Sequence, residues 1–217
     1  MERILIIGEE NRANLLRKKL ESDHWEIEIS DGDDDEDFKE FTIIFDLNFD
    51  DDSENFPIYA GLRDKLIFLS AVKQSLSESS YIYPAKVRSR IFGINAMEHY
   101  LNTEYIEISA FRRNEWNFAQ EFIGKTNFKL IQTEDVVGMY RPSVDFLAIN
   151  EKISLLNENV VSLEHEYFQK EFQYIDQIGV TAIFEVLMAK YEDTKNTAYL
   201  PCSLLKRKYL RNHNFVK

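Results

Sequence analysis

The sequence predicts an α/β fold: a mostly parallel sheet over residues 1–133, followed by an all-α region over residues 134–217. Three observations carry this expectation. The chain opens on Arg3-Ile4-Leu5-Ile6-Ile7, an unbroken apolar run typical of a strand buried on both faces, and good helix formers follow from Asn11. Strand-like runs then recur as WEIEIS, FTIIFDL, KLIFLS, RIFGI, YIEIS and FKLIQ, with helical material such as NEWNFAQEFI between some of them. Beyond Thr133 the alternation stops, and apolar residues recur at helical spacing.

Taken in order, Gly8 ends the first strand, and Leu15, Leu16 and Leu20 give the next stretch a helical stripe. WEIEIS puts Ile27 and Ile29 on one face, so the opening reads as a parallel strand–helix–strand unit. In YIEIS, Glu107 alternates with Ile106 and Ile108. Either it lies on a solvated face, or it orients a base on the preceding strand. In the helical region Phe146, Ile149, Ile153 and Leu156 form one stripe, and a second helix is expected from Ser162. YIDQIGVTAIFEVLMAKYEDT reads as a single apolar helix, and SLLKRKYLRN closes the chain.

Composition bounds the function. A chain of 217 residues, 44% hydrophobic and 13% aromatic, can bury a sizeable core. Its 38 acidic against 26 basic residues give a net charge of −12, which opposes nucleic acid and anionic membrane surfaces; only KRKYLR is locally basic. The single cysteine, Cys202, excludes an internal disulfide or a cysteine metal cluster, and the short opening apolar run is no membrane span, so a cytoplasmic protein is expected. The acidic runs at residues 31–37 and 50–55 lack the order of a calcium loop, since Gly32 stands second rather than sixth and Thr42 stands where the bidentate glutamate belongs. His24, His99, His165 and His213 show no ligand spacing, and no metal site is expected.

The order of segments resembles 3-hydroxyacyl-CoA dehydrogenases over nearly the whole chain. The residues that carry the likeness are FGIN followed by YIEI, GKT with a strand and then Asp135 and Gly138, and IDQIGVTAIFEVL. The resemblance implies a reduced Rossmann-like, NAD-binding-type domain at residues 1–133 and a helical domain at 134–217 that forms a homodimer, with Ile183, Phe184, Leu187 and Met188 at the interface. It also implies that the base which takes the hydroxyl proton falls at Asn95 and its carboxylate partner at Glu107. An asparagine has no proton equilibrium near neutral pH. His99, four residues on in the connection, would substitute only with a reshaped backbone. The substrate-contacting amide of the family falls at Pro142, and the family's serine turn corresponds to SAVKQSL, where Ser70 or Ser75 keeps a hydroxyl.

The cofactor turn departs from the pattern as well. In GEENRA, Gly8 is kept, Glu10 takes the second glycine position and Ala13 the third. Glu10 adds bulk and negative charge where a diphosphate would approach the backbone. Asp31 is either the ribose-binding acid or a solvated turn residue. The segment between WEIEIS and FTIIFDL is too short for the usual crossover. The expected function is therefore a dehydrogenase-like binding or assembly module of unknown ligand, without activity and without cofactor. The alternative is an active NAD-dependent oxidoreductase with an altered site.

Overall fold

Strand β1 (Glu2–Ile7) buries Ile4 and Ile6 against one apolar layer and Leu5 and Ile7 against another, as its unbroken apolar run requires. The computed structural model describes residues 2–32 and 37–216. Residues 33–36 of the first acidic run lie outside the described residues. The chain divides into two compact units, Met1–Met139 and Tyr140–Lys217.

In the first unit β1 is joined by β2 (Trp25–Ser30), β3 (Ile43–Asp46), β4 (Leu66–Ser70), β5 (Arg90–Ile94), β6 (Tyr105–Ala110) and β7 (Lys129–Thr133), in the spatial order β2-β1-β3-β4-β5-β6-β7. All neighbours pair in parallel except β5 and β6, which are antiparallel. Helices α1 (Glu10–Leu20), α2 (Phe56–Gly61), α3 (Leu76–Ile82), α4 (Glu98–Leu101) and α5 (Trp116–Ile123) connect or flank the strands. One face packs Leu16 and Leu20 of α1 and Phe122 of α5 over Phe45, Phe68 and Phe92, whose rings stack across three adjacent strands at 4.6 and 5.2 Å. The other face packs Phe56, Tyr59 and Ala60 of α2 and Leu76 of α3 over Ile44, Ile67 and Ile91. The result is a Rossmann-like sheet. Where such sheets usually make a second helical crossover, β2 is linked to β3 by a segment whose described residues contain only a 3-10 turn at Phe38–Glu40.

The compact break falls after Met139, later than the change in periodicity at Thr133. Residues 134–139 are tied back to the sheet unit. The Asp135 carboxylate accepts from the Leu76 and Ser77 amides, each at 2.8 Å, and Gly138 N donates to Val72 O at 2.6 Å.

The second unit holds α6 (Arg141–Asn157), α7 (Glu166–Ile178), α8 (Val180–Thr194) and α9 (Ser203–Arg211). On α6 Phe146, Ile149 and Ile153 are buried as their spacing predicts, while Leu156 in the last turn is half-buried. Two expectations need correction. The helix expected from Ser162 begins at Glu166, capped by His165, whose Nδ1 accepts from Tyr167 N at 3.3 Å. The apolar stretch read as one helix is two, separated at Gly179, whose φ of 102° ends α7 and starts α8 in a conformation that only glycine adopts without strain. Buried Asn150 pins the connection into α9, donating to Leu200 O at 3.0 Å and accepting from Cys202 N at 2.9 Å. No helix among the described residues is long and apolar enough to cross a membrane.

Candidate functional site

The antiparallel register of β5 and β6 sets Ile94 against Ile108 and so brings Asn95 opposite Glu107, with Asn95 N donating to Glu107 O at 3.1 Å. Both side chains are buried, at 2% and 1% exposure, which rules out the solvated-face reading of Glu107. The alternation is real, but the sheet is covered on both faces. Asn95 Nδ2 donates to Glu107 Oε2 at 3.5 Å, a long contact, and Asn95 Oδ1 accepts from Met97 N at 3.4 Å. The pair the resemblance implies is thus assembled, with an amide where a base would stand. Gly93, two residues before Asn95, makes room for Ser109 and Ala71. A Cβ there would lie 2.5 Å from Ser109 Oγ and 3.1 Å from Ala71 Cβ. His99 belongs to α4 rather than to an irregular connection, and its ring meets Tyr100 edge-on at 5.1 Å.

One strand over, Ser70 ends β4 as the register partner of Ile94. Its Oγ donates to Asp50 Oδ2 at 2.5 Å, while Asp50 Oδ1 accepts from Val72 N at 2.8 Å and Lys73 N at 2.6 Å. Burial pushes Asp50 up to about 6, against the lowering effect of Ser70, the two amides and the Lys73 charge. Sequence reasoning missed this group, because Asp50 heads an acidic run that reads as a solvated loop. The one usable signal was its position just after apolar Phe49, where the chain leaves β3. Asp46 was missed because it lies in an apolar run, FTIIFDL, that reads only as a strand. It is 3% exposed, accepts from Tyr59 Oη at 2.7 Å and Asn48 N at 2.8 Å, and burial raises its pKa. Ser75 does separate work as the N-cap of α3, its Oγ accepting from Glu78 N at 3.1 Å.

At the turn after β1, Gly8 has a φ of 154°, and a Cβ added there would lie 2.9 Å from Leu47 Cβ. The glycine is therefore required by packing, whether or not a phosphate approaches. Glu10 is the exposed first residue of α1, and Ala13 is buried beneath the helix. Arg12 Nη2 donates to Asn48 Oδ1 at 2.9 Å, bridging the first turn of α1 and the loop after β3. Exposed Asp31 follows β2. Together with Asp37, Lys39, Asp46, Asp51 and Asp52 it lines a cavity of about 780 Å³ near the ends of β1, β2 and β3. These residues do not fit a dinucleotide. Glu10 sets a carboxylate at the helix start that a diphosphate would face, and among the described residues the cavity is walled by five aspartates against one lysine, Lys39.

Pro142 lies in the second unit, buried in the first turn of α6, where its missing N–H leaves no helical bond unmade. Ile183 and Leu187 are buried within that same unit, and the half-buried Phe184 ring stacks on Tyr209 at 4.0 Å. Of the four residues expected at an interface, Ile183 and Leu187 are thus buried in the single chain, while Phe184 and Met188 are half-buried. Among the described residues no group of three or more His, Cys, Asp or Glu could hold a metal ion.

No protein-family model and no curated protein sequence matches the chain. Solved structures do. (S)-3-hydroxybutyryl-CoA dehydrogenase PaaH1 from Ralstonia eutropha superposes with a TM-score of 0.72 at 12% identity, covering 98% of this chain and 94% of that one. FadB2 of M. tuberculosis gives 0.70 at 12% identity over 86% and 70% of the two chains. A 3-hydroxyacyl-CoA dehydrogenase from Archaeoglobus fulgidus gives 0.55 at 12% identity over 100% and 92%. At such identities the likeness establishes architecture, and the chain has the fold of the 3-hydroxyacyl-CoA dehydrogenases.

Proposed function

We propose that the protein is a 3-hydroxyacyl-CoA dehydrogenase-like module without dehydrogenase activity, its fold serving binding or assembly. The observation that carries this reading is buried Asn95 beside Glu107. An amide cannot accept the hydroxyl proton, and loss of a general base costs about 10²- to 10⁴-fold in rate. The cofactor turn supports the same reading. A Glu10 carboxylate within about 4 Å of a diphosphate charge, at an effective dielectric of about 20, is repelled by roughly 4 kcal/mol, or about three decades in affinity. Because Glu10 is exposed, rotation into solvent reduces that penalty.

The competing reading, an NAD-dependent oxidoreductase with an altered site, needs a new base in Ser70 or His99. A serine hydroxyl is not a base near neutral pH, and Ser70 Oγ donates to Asp50. Calorimetric titration with NADH separates the two readings. Binding in the millimolar range is expected, and a Kd below about 100 μM would overturn the inactive reading. A homodimer through the helical unit belongs to the same proposal. With Ile183 and Leu187 buried, it rests on exposed Val144, Leu155 and Tyr174 and half-buried Phe184 and Met188. A monomeric mass by light scattering would remove it. The cytoplasmic assignment is likewise proposed, on the strength of the single free cysteine, Cys202.

A further inference from the structure

Strand β2 forms one edge of the sheet. In the usual doubly wound order, 3-2-1-4-5-6, a further strand lies outside the second one. Here the strand that follows β2 pairs on the far side of β1, so that outer position is not filled from within the described residues. Among the described residues no backbone group bonds to the outer edge of β2. The two faces of the strand differ. Ile27 and Ile29 are half-buried against the layer that holds α1, whereas Glu26 and Glu28 are exposed on the other face, Glu28 lying 2.9 Å from Arg3. Exposed Glu21, Asp23 and Asp31 continue the acidic character at both ends of the strand.

We propose that the outer edge of β2 accepts an extended segment of a basic partner protein as an added strand, one in which apolar residues alternate with lysine or arginine. An open strand edge is a row of backbone donors and acceptors that pairs with any extended chain of suitable side-chain pattern. The period of two supplies the pattern. Apolar residues of the incoming strand extend the layer over Ile27 and Ile29, and cations fall beside Glu26 and Glu28 on the opposite face. The same charges select against a second copy of this chain. Antiparallel pairing of β2 with itself about a two-fold axis sets the Glu26 and Glu28 side chains of one copy beside those of the other. This inference is independent of the loss of catalysis, because it concerns the sheet edge and not the Asn95–Glu107 pair.

The test uses the full chain, isotopically labelled, and a capped peptide of alternating lysine and valine about as long as β2. Alternating glutamate–valine and proline-interrupted peptides serve as controls. Amide hydrogen exchange between Glu26 and Ser30 is expected to slow with the basic peptide alone. Its affinity is expected to fall as salt rises from about 50 to 200 mM. The double variant Glu26→Lys/Glu28→Lys is expected to weaken the basic peptide about tenfold and to gain binding of the acidic one. Should the double variant not fold, Glu26→Lys alone gives the same readout. Binding that leaves β2 exchange unchanged, no protection at millimolar peptide, or equal binding by the charge-reversed variant would each overturn the proposal. Protection of β2 that grows with protein concentration and without peptide would assign the edge to a second copy instead.

Discussion

At the end of β5, Asn95 and Glu107 are 2% and 1% exposed and lie against each other, whereas at the turn after β1 Glu10 points into solvent from the first residue of α1. Both places depart from the dehydrogenase pattern that the sequence resembles, and they depart under different constraints. A buried carboxylate restricts what can stand beside it, because an apolar neighbour would take a donor away from it. Asparagine satisfies that restriction while giving up acid–base chemistry. An exposed helix start imposes no such restriction, and an acid there even complements the helix dipole. The pair at β5–β6 is therefore tied to the buried sheet, whereas the Glu10 side chain at the turn after β1 is not. Gly8 shows the same logic from the other side, since Leu47 packs where its Cβ would be.

The largest expected effect breaks this contrast directly. Asn95→Leu removes the amide from Glu107 and should cost about 3 kcal/mol of stability by urea unfolding, whereas Glu107→Gln should stay within about 1 kcal/mol. A loss under about 1 kcal/mol for Asn95→Leu would show that the pair is not held for folding. Next, Gly8→Ala should destabilise the ligand-free chain by about 2 kcal/mol through overpacking on Leu47, read as a lowered Tm. An unchanged Tm would return that glycine to a purely ligand-facing role.

The third prediction concerns Asp50, a buried-side carboxylate next to the β5–β6 pair. Its folded pKa, pushed up to about 6, exceeds the ordinary aspartate value, so the folded state holds the proton more tightly than the unfolded chain does. The stability contributed by the protonated form is full below pH about 4, declines as pH rises from about 4 to about 6, and is level above that. Solvent at the open side of the group limits the change to the order of 1 kcal/mol. Asp50→Asn keeps an acceptor for Val72 and Lys73 and should flatten the difference in stability between pH 4 and pH 6; equal slopes in both proteins would contradict it. The smallest effect is at the turn. Glu10→Ala should change stability by less than about 0.5 kcal/mol, and a loss above about 1 kcal/mol would mean that the turn is as constrained as the buried pair.

How much was legible follows from where each signal is local. The strand runs, the helical stripe on α6 and the candidate pair Asn95–Glu107 could be read from spacing or resemblance, because side-chain period and the succession of segments are written along the chain, whereas the antiparallel pairing of β5 with β6 is not. The break at Gly179 could not, since one glycine in an apolar run is compatible with a continuous helix until its φ is fixed at 102°. Asp50 could not either. An acidic run looks solvated until the Ser70 hydroxyl and two backbone amides are found to converge on one of its members.

By itself the sequence determined the α/β class and the change to helices after the last strand, because these depend on residue type and short-range period. Only the tertiary structure decided that Glu107 is buried, that Gly8 serves packing against Leu47, that Ile183 and Leu187 are core, and that β2 is left as an edge. Each of these is a relation between residues distant in the chain. Burial and pairing are set by what arrives from elsewhere, which no local pattern contains.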